Sequence, residues 1–256
     1  MASSAQVPGT IFSRAIGLAV SFDKPQGRPF DKAQGRAFDK AQGRPFDRAQ
    51  GRPFDRAQGR PASGSVTLAI RLAAVAFVTT LTIAAAQISI PLPFTPVPLT
   101  IQPMVVLLGG AALGARLGCA SQVAYLVAGI AGLPVFAASP LLLPGVARLL
   151  GPTGGYLLSY PLAAWTTGWL AERGLDRRYP GAVAAMGAGL AVIFSFGVAW
   201  LAFVWTPLKP ATGLVTAVRI GLMPFLVVDV VKVLLAAALL PAVWKLIGRS
   251  SPSPLS

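Results

Sequence analysis

From residue 66 to residue 248 the chain is a succession of long apolar runs, and its last 191 residues hold only three acidic side chains, Glu172, Asp176 and Asp229. That pattern limits the possible folds more than any motif does. Charged residues make up 12% of the chain, whereas a soluble globular protein carries about 25%, so the runs call for lipid around them. A spanning helix takes about 20 mainly apolar residues. Six segments qualify, near residues 66–88, 100–115, 117–133, 152–172, 181–205 and 219–247. The expected fold is all-α: a polytopic membrane protein, a bundle of six transmembrane helices over residues 66–248, with 249–256 as a short C-terminal tail. The second and third segments are short and read as a tight helical hairpin. Gly110, Gly114 and Gly118 give them a small-xxx-small spacing suited to close helix approach in lipid. The last two equally suit a turn around Arg116.

Loop charge gives an orientation. With the N-terminus cytoplasmic, Arg116, Arg173, Arg177, Arg178, Lys245 and Arg249 fall inside, against Arg148, Lys209 and Arg219 outside. Basic residues concentrate on the cytoplasmic side of membrane proteins. Both termini are therefore expected inside a bacterial-type cytoplasmic membrane. The loops "SIPLPFTPVPLT", "LPVFAASPLLLPGVARLLG" and "TPLKPATGLVTAVR" then face out. Being proline-rich and nearly uncharged, they are expected to fold back over the helix ends as a lid above a ligand site.

Residues 1–65 differ in kind. From Phe22 to Pro61 an octapeptide of the form "FDRAQGRP" repeats five times. One Phe in eight residues buries too little apolar surface to offset the entropy of ordering, so a disordered tail is expected. Its net charge of +6, against +8 for the rest, suits a basic arm near anionic lipid; a translated genomic repeat is the alternative. No methionine lies between Met1 and Met104. The body's charges sit between apolar runs instead of along one face, which excludes a nucleic-acid surface. The absence of histidine and the single Cys119 leave no metal site, no internal disulfide and no ordinary general base.

Three stretches carry chemistry. In "PFLVVDVVKVLLAAALLP", Asp229 and Lys232 stand at i and i+3, on one side of a helix. A charge at mid-bilayer costs about 2.5–3.5 kcal/mol on insertion scales. The pair either locks helix packing or serves a polar ligand inside the bundle. "GPTGGY" lacks a GK[ST] ending and a preceding strand, so it is no nucleotide loop. Its Pro152 suits a first helical turn, and Gly154 and Gly155 allow a backbone or a ligand to approach, beside Tyr156. Free N–H groups of that turn would favour an anion; close helix packing is the other reading. In "IPLPFTPVPLTIQP", five prolines preclude helix and force an extended path. Thr95, Thr100 and Gln102 there bind a ligand or satisfy the loop's own backbone.

These motifs, in this order, resemble the BioY family of biotin-binding subunits of energy-coupling-factor (ECF) vitamin transporters. The resemblance rests on "AQISIPLPFTPVPLTIQ", "LGARLG", "YLVAGIAGLPVFA", "LLGPTGGYLLSYPLAAW" and the PF…DxxK pattern from Phe225 to Lys232, and covers residues 66–248. It implies a six-helix S component that takes biotin from outside and works with a transmembrane coupling protein and two ATPases. Uptake would then follow from the subunit toppling in the membrane. No enzyme and no cofactor are implied; biotin is the cargo. Asp229 and Lys232 would meet the ureido ring, and Arg148 or the "GPTGGY" turn the carboxylate. A small-residue face, Ala69-x-x-x-Ala73, would dock the coupling protein. The segment "ASPLLLPGVAR" departs from the family's Gly-rich, polar version, which leaves Arg148 as that loop's only charged candidate. Alternatives are an S component for another vitamin or nucleobase, a structural membrane protein, and an intramembrane enzyme using Asp229, which would lack a nucleophile.

Overall fold

The structure, a computed structural model, describes residues 10–12, 38–39, 44–47, 52–53, 64–137, 145–205 and 213–249. By contact the chain forms two units, Ser21–Ile70 and the remainder.

In the first unit the described repeat residues form three short strands: β1 (Phe38–Asp39), β2 (Arg44–Asp47) and β3 (Arg52–Pro53). They pair antiparallel in the order β1-β2-β3. Phe38 faces Pro45 and Asp39 faces Arg44; one octad later, Phe46 faces Pro53 and Asp47 faces Arg52. The eight-residue period therefore repeats one register. The expected disorder does not extend to these eight residues; the rest of the repeat lies outside the described ones.

A helix stands at each of the six expected positions, all in the larger unit except residues 64–70 of the first. They are α1 (Gly64–Gln87), α2 (Gln102–Leu113), α3 (Ala115–Ile130), α5 (Gly154–Glu172), α6 (Tyr179–Trp200) and α8 (Met223–Arg249). Two short helices lie between them, α4 (Val146–Leu149) and α7 (Leu214–Gly221). Leu68–Gln87, Tyr179–Trp205 and Met223–Lys245 are long and apolar enough to cross a membrane, the middle one by a π-helical turn over Leu201–Trp205. α2 and α3 are shorter apolar helices. The expected segment 219–247 is corrected at its start: α7 ends at Gly221 and Leu222 (φ −116°, ψ −56°) breaks the axis. Pro224 fits the break, since it has no N–H to donate to the Ile220 carbonyl four residues back. The proline-rich loop is helix-free up to Thr100 but extended only at its ends, with a turn at Pro93–Phe94 between them, and Gln102 and Pro103 already belong to α2. The loop's ends form the hairpin β4 (Ser89–Ile90) and β5 (Leu99–Thr100), with Ser89 opposite Thr100.

Small residues hold the bundle together. α5 packs along α6 on one side and against α2 and α3 on the other. A Cβ on Gly110 would overlap the Ala164 carbonyl, and one on Gly118 would come 2.7 Å from Gly110 Cα. Those two glycines make the close contact their spacing suggests. Gly114, at φ +88°, is instead the turn between α2 and α3. α1 is tied on by polar bonds: the Thr79 hydroxyl donates to the Ser121 carbonyl at 2.9 Å, and Gln122 Nε2 donates to Thr82 Oγ1 at 3.3 Å. Thr10 and Ile11, ahead of the repeat, are buried in this unit.

Two of the three acids lie near the turns at the end where α5 stops. Glu172 Oε1 accepts from the Ala115 N–H at 2.9 Å, supplying the first turn of α3 with an acceptor and a negative charge. Asp176 sits in a 3-10 turn (Leu175–Arg177), and its Oδ2 accepts from Trp244 Nε1 at 2.6 Å. Arg177 lies 5.2 Å from the centroid of the Trp244 ring.

Candidate functional site

Two turns into α8, Asp229 enters the wall of a cavity. Lys232 follows one turn later, and its ammonium donates to Asp229 Oδ1 and to the Thr100 carbonyl, each at 2.6 Å. An ammonium has three donors, and these contacts use two of them. The pair therefore links α8 to β5 as well as neutralising itself. Both side chains are largely buried.

The cavity holds about 760 Å³, part of it open to solvent. Its walls are the proline-rich hairpin from Pro96 to Thr100, the start of α2 at Gln102, Phe136, Arg148 of α4, the first turns of α5, Ile193 and Phe194 of α6, and Phe225 and Asp229 of α8. Two of the three loops expected to face out, "SIPLPFTPVPLT" and "LPVFAASPLLLPGVARLLG", contribute lining residues to it. Most of the lining is apolar, with a few polar groups, as in sites for small organic ligands. Asp229 and Arg148 are its charged members. Arg148 is only 8% exposed, and its Nε has no hydrogen-bond partner among the described residues. Burial pushes its guanidinium below the usual value, opposed by Tyr125. A buried guanidinium N–H without an acceptor is costly, so an anion entering beside it would be stabilised.

The candidates separate on inspection. Asp229, Arg148, Gln102 and Tyr156 line the cavity; Lys232 does not line it and adjoins it through its bonds to Asp229 and Thr100. Gln102 already gives its amide to the Tyr125 hydroxyl at 2.7 Å. Tyr156 lines the wall, but its hydroxyl donates to the Gly221 carbonyl at 2.7 Å. Thr95 donates to the Ile220 carbonyl at 2.7 Å and accepts from Val97 N–H at 3.2 Å, so its hydroxyl serves backbone. Gly154 and Gly155 pack instead of lining: a Cβ would overlap the Leu149 carbonyl at the first and Trp200 Cβ at the second. The helix begins at Gly154, after Thr153, so Pro152 lies ahead of the first turn where the sequence reading put it inside. Ala69 and Ala73 are on the exposed side of α1. Of "ASPLLLPGVAR", residues 138–144 lie outside the described residues.

Sequence reasoning missed the aromatic floor. Tyr125 stacks on Tyr160 with centroids 6.4 Å apart and meets Phe136 edge-on at 5.4 Å. Tyr160 follows Tyr156 by four residues, a spacing that puts both on one helix face; that signal was available. Tyr125 carried none, since only the packing of α3 against α5 brings it in. Among the described residues no group of side chains could hold a metal ion.

Several known proteins are similar to this chain. The chain is 40% identical over 159 residues to a probable biotin transporter BioY of Pyrococcus horikoshii, covering 62% of this chain and 86% of that one. It is 36% identical to the biotin transporter BioY of Thermotoga maritima, with the same coverage. A crystal structure of the S-component for biotin from an ECF-type ABC transporter superposes with a TM-score of 0.62 at 25% identity, over 72% of this chain and 95% of that one. The BioY family itself matches residues 58–249, most of the sequence and all of the cavity's walls. This chain is a member of the BioY family.

Proposed function

We propose that the protein is a biotin-capturing S component, taking biotin into the cavity described above from the outer face of the cytoplasmic membrane. One observation carries the reading: a buried carboxylate beside its lysine, and a buried arginine whose Nε has no acceptor among the described residues, line a single apolar cavity. Biotin has matching groups. Its ureido ring offers two N–H donors, which Asp229 accepts, and a carbonyl, to which Lys232 donates. Its rings and chain fit the aromatic and aliphatic wall, and its carboxylate pairs with Arg148. Charge-assisted bonds of this kind are the stronger ones in proteins.

The remaining parts follow from family membership and loop charge. Six helices span the membrane with both termini cytoplasmic, and the cavity opens outward. Ala69 and Ala73 lie on the face of α1 that meets a transmembrane coupling protein. Two separate ATPase subunits hydrolyse ATP, since this chain has no Walker motif. It is a transporter subunit, not an enzyme.

Equilibrium binding of biotin to the detergent-solubilised protein tests the reading. Biotin binds, and biotin methyl ester binds at least tenfold more weakly in wild type but not in Arg148→Met. Saturation by another vitamin with no response to biotin would refute it. Cysteines placed singly at Pro96 and Arg177 in a Cys119→Ser background test the orientation; Pro96 labels from outside in intact cells. Outside labelling at Arg177 would reverse the topology.

A further inference from the structure

The end of α7 is tied to two walls of the cavity at once. An α-helix leaves its last carbonyls without internal partners. Here the Ile220 carbonyl accepts the Thr95 hydroxyl of the proline-rich hairpin, and the Gly221 carbonyl accepts the Tyr156 hydroxyl of α5, each at 2.7 Å. Leu222 and Pro224 follow at once, leading into the turn of α8 that carries Phe225 to the cavity. Three walls therefore meet at one helix end. Glycine makes the meeting possible: a Cβ on Gly197 would overlap the Tyr156 ring, and one on Gly221 its hydroxyl.

The other side of α7 is turned away from the bundle. Ala217 and Gly221 are buried, while Val215 is 83% exposed and Leu214 56%, with Arg219 exposed near the helix end. An apolar face with a basic residue at its border suits the boundary between acyl chains and headgroups. The same helix is thus fastened to the bundle chiefly through its C-terminal end.

We propose that α7 is a strap that holds the proline-rich hairpin closed over the cavity, with Thr95 and Tyr156 as positioning residues whose hydroxyls fasten it. Releasing either bond frees the hairpin from α7 or α7 from α5, and the cavity opens more often. The inference rests on the cavity being the ligand site, but its first test needs no ligand.

Val97 lines the cavity and is 7% exposed. As Val97→Cys in a Cys119→Ser background it reports opening by its rate of reaction with a membrane-impermeant maleimide. Adding Thr95→Val or Tyr156→Phe raises that rate about fivefold, the factor carried by one net hydrogen bond of ordinary strength. Thr95→Ser, which keeps the hydroxyl, labels at the parent rate. Biotin leaves the Val and Phe variants faster by a similar factor and also enters faster. Unchanged labelling in both variants, or a Ser variant as fast as the Val one, overturns the strap. Faster labelling in a protein whose parent does not bind biotin leaves the strap standing and removes the biotin reading.

Discussion

Asp229 and Asp176 are both buried acids that touch α8, at points separated by roughly 22 Å of helix, from residue 229 to the Trp244 that Asp176 meets. Their surroundings differ. Asp229 has a cation, Lys232, and faces an open cavity; Asp176 has a neutral donor, the Trp244 indole, and packed protein around it. An ionisable residue within a membrane helix is by default a candidate for a functional site, and Asp229, with a cavity beside it, is such a candidate. Asp176 lies in a turn between helices, where its bond to Trp244 fastens the turn to α8. Burial alone therefore does not mark a site. The difference is adjoining space that a ligand can fill.

The strongest way to break this comparison is to neutralise both acids. Asp229→Asn weakens biotin binding by about tenfold to a hundredfold, the loss of one charge-assisted hydrogen bond of about 1.5–3 kcal/mol. Asp176→Asn leaves affinity within about twofold, because it is far from the cavity. Titration calorimetry on the two variants side by side checks it, and equal losses would erase the distinction.

Next in size is the double change of Asp229→Asn with Lys232→Met. Asp229→Asn alone leaves a buried cation without its counterion, which costs several kcal/mol. The double variant recovers most of the lost thermal stability and still fails to bind biotin. Recovery is incomplete, because Lys232 also holds the Thr100 carbonyl of β5. A double variant that binds as wild type does would reduce the pair to helix packing.

The pH dependence sharpens the contrast at the other acid. Burial raises the Asp176 carboxyl above its usual value, against the opposing Trp244 bond and the nearby Arg177. The folded protein thus holds this proton more tightly than the unfolded chain. That contribution is complete below the ordinary carboxylate value and is lost as pH rises through the raised one. Asp176→Asn keeps an acceptor for Trp244 without the charge. It therefore melts higher than wild type at pH 8, and the gap narrows towards pH 4.5. A gap that widens on acidification would contradict the sign.

The smallest effect is expected at the third acid. Glu172→Ala removes the acceptor from Ala115 N–H and costs about 1 kcal/mol, typical of a lost helix cap. It lowers the melting temperature by a few degrees with biotin affinity unchanged.

The sequence by itself determined where the helices lie and which stretches between them hold candidate site residues. Apolar length fixed the positions of six helices, since backbone polar groups in lipid must be satisfied within each segment. Proline spacing kept helix out of the loop before α2, and the i, i+3 spacing of Asp229 and Lys232 put them on one side of a helix; the hairpin at the loop's ends came only with the fold. Tertiary structure decided which polar groups were left for a ligand. Thr95, Gln102 and Tyr156 looked alike as candidates, yet their donors go to Ile220, Tyr125 and Gly221, residues distant in sequence. Gly154 and Gly155 became packing surface because Leu149 and Trp200 fold against them. Arg148 kept its Nε–H without an acceptor because α4 buries it where none of the described residues offers one. A residue type sets what hydrogen bonds are possible, but which are already made depends on contacts between segments that only folding brings together.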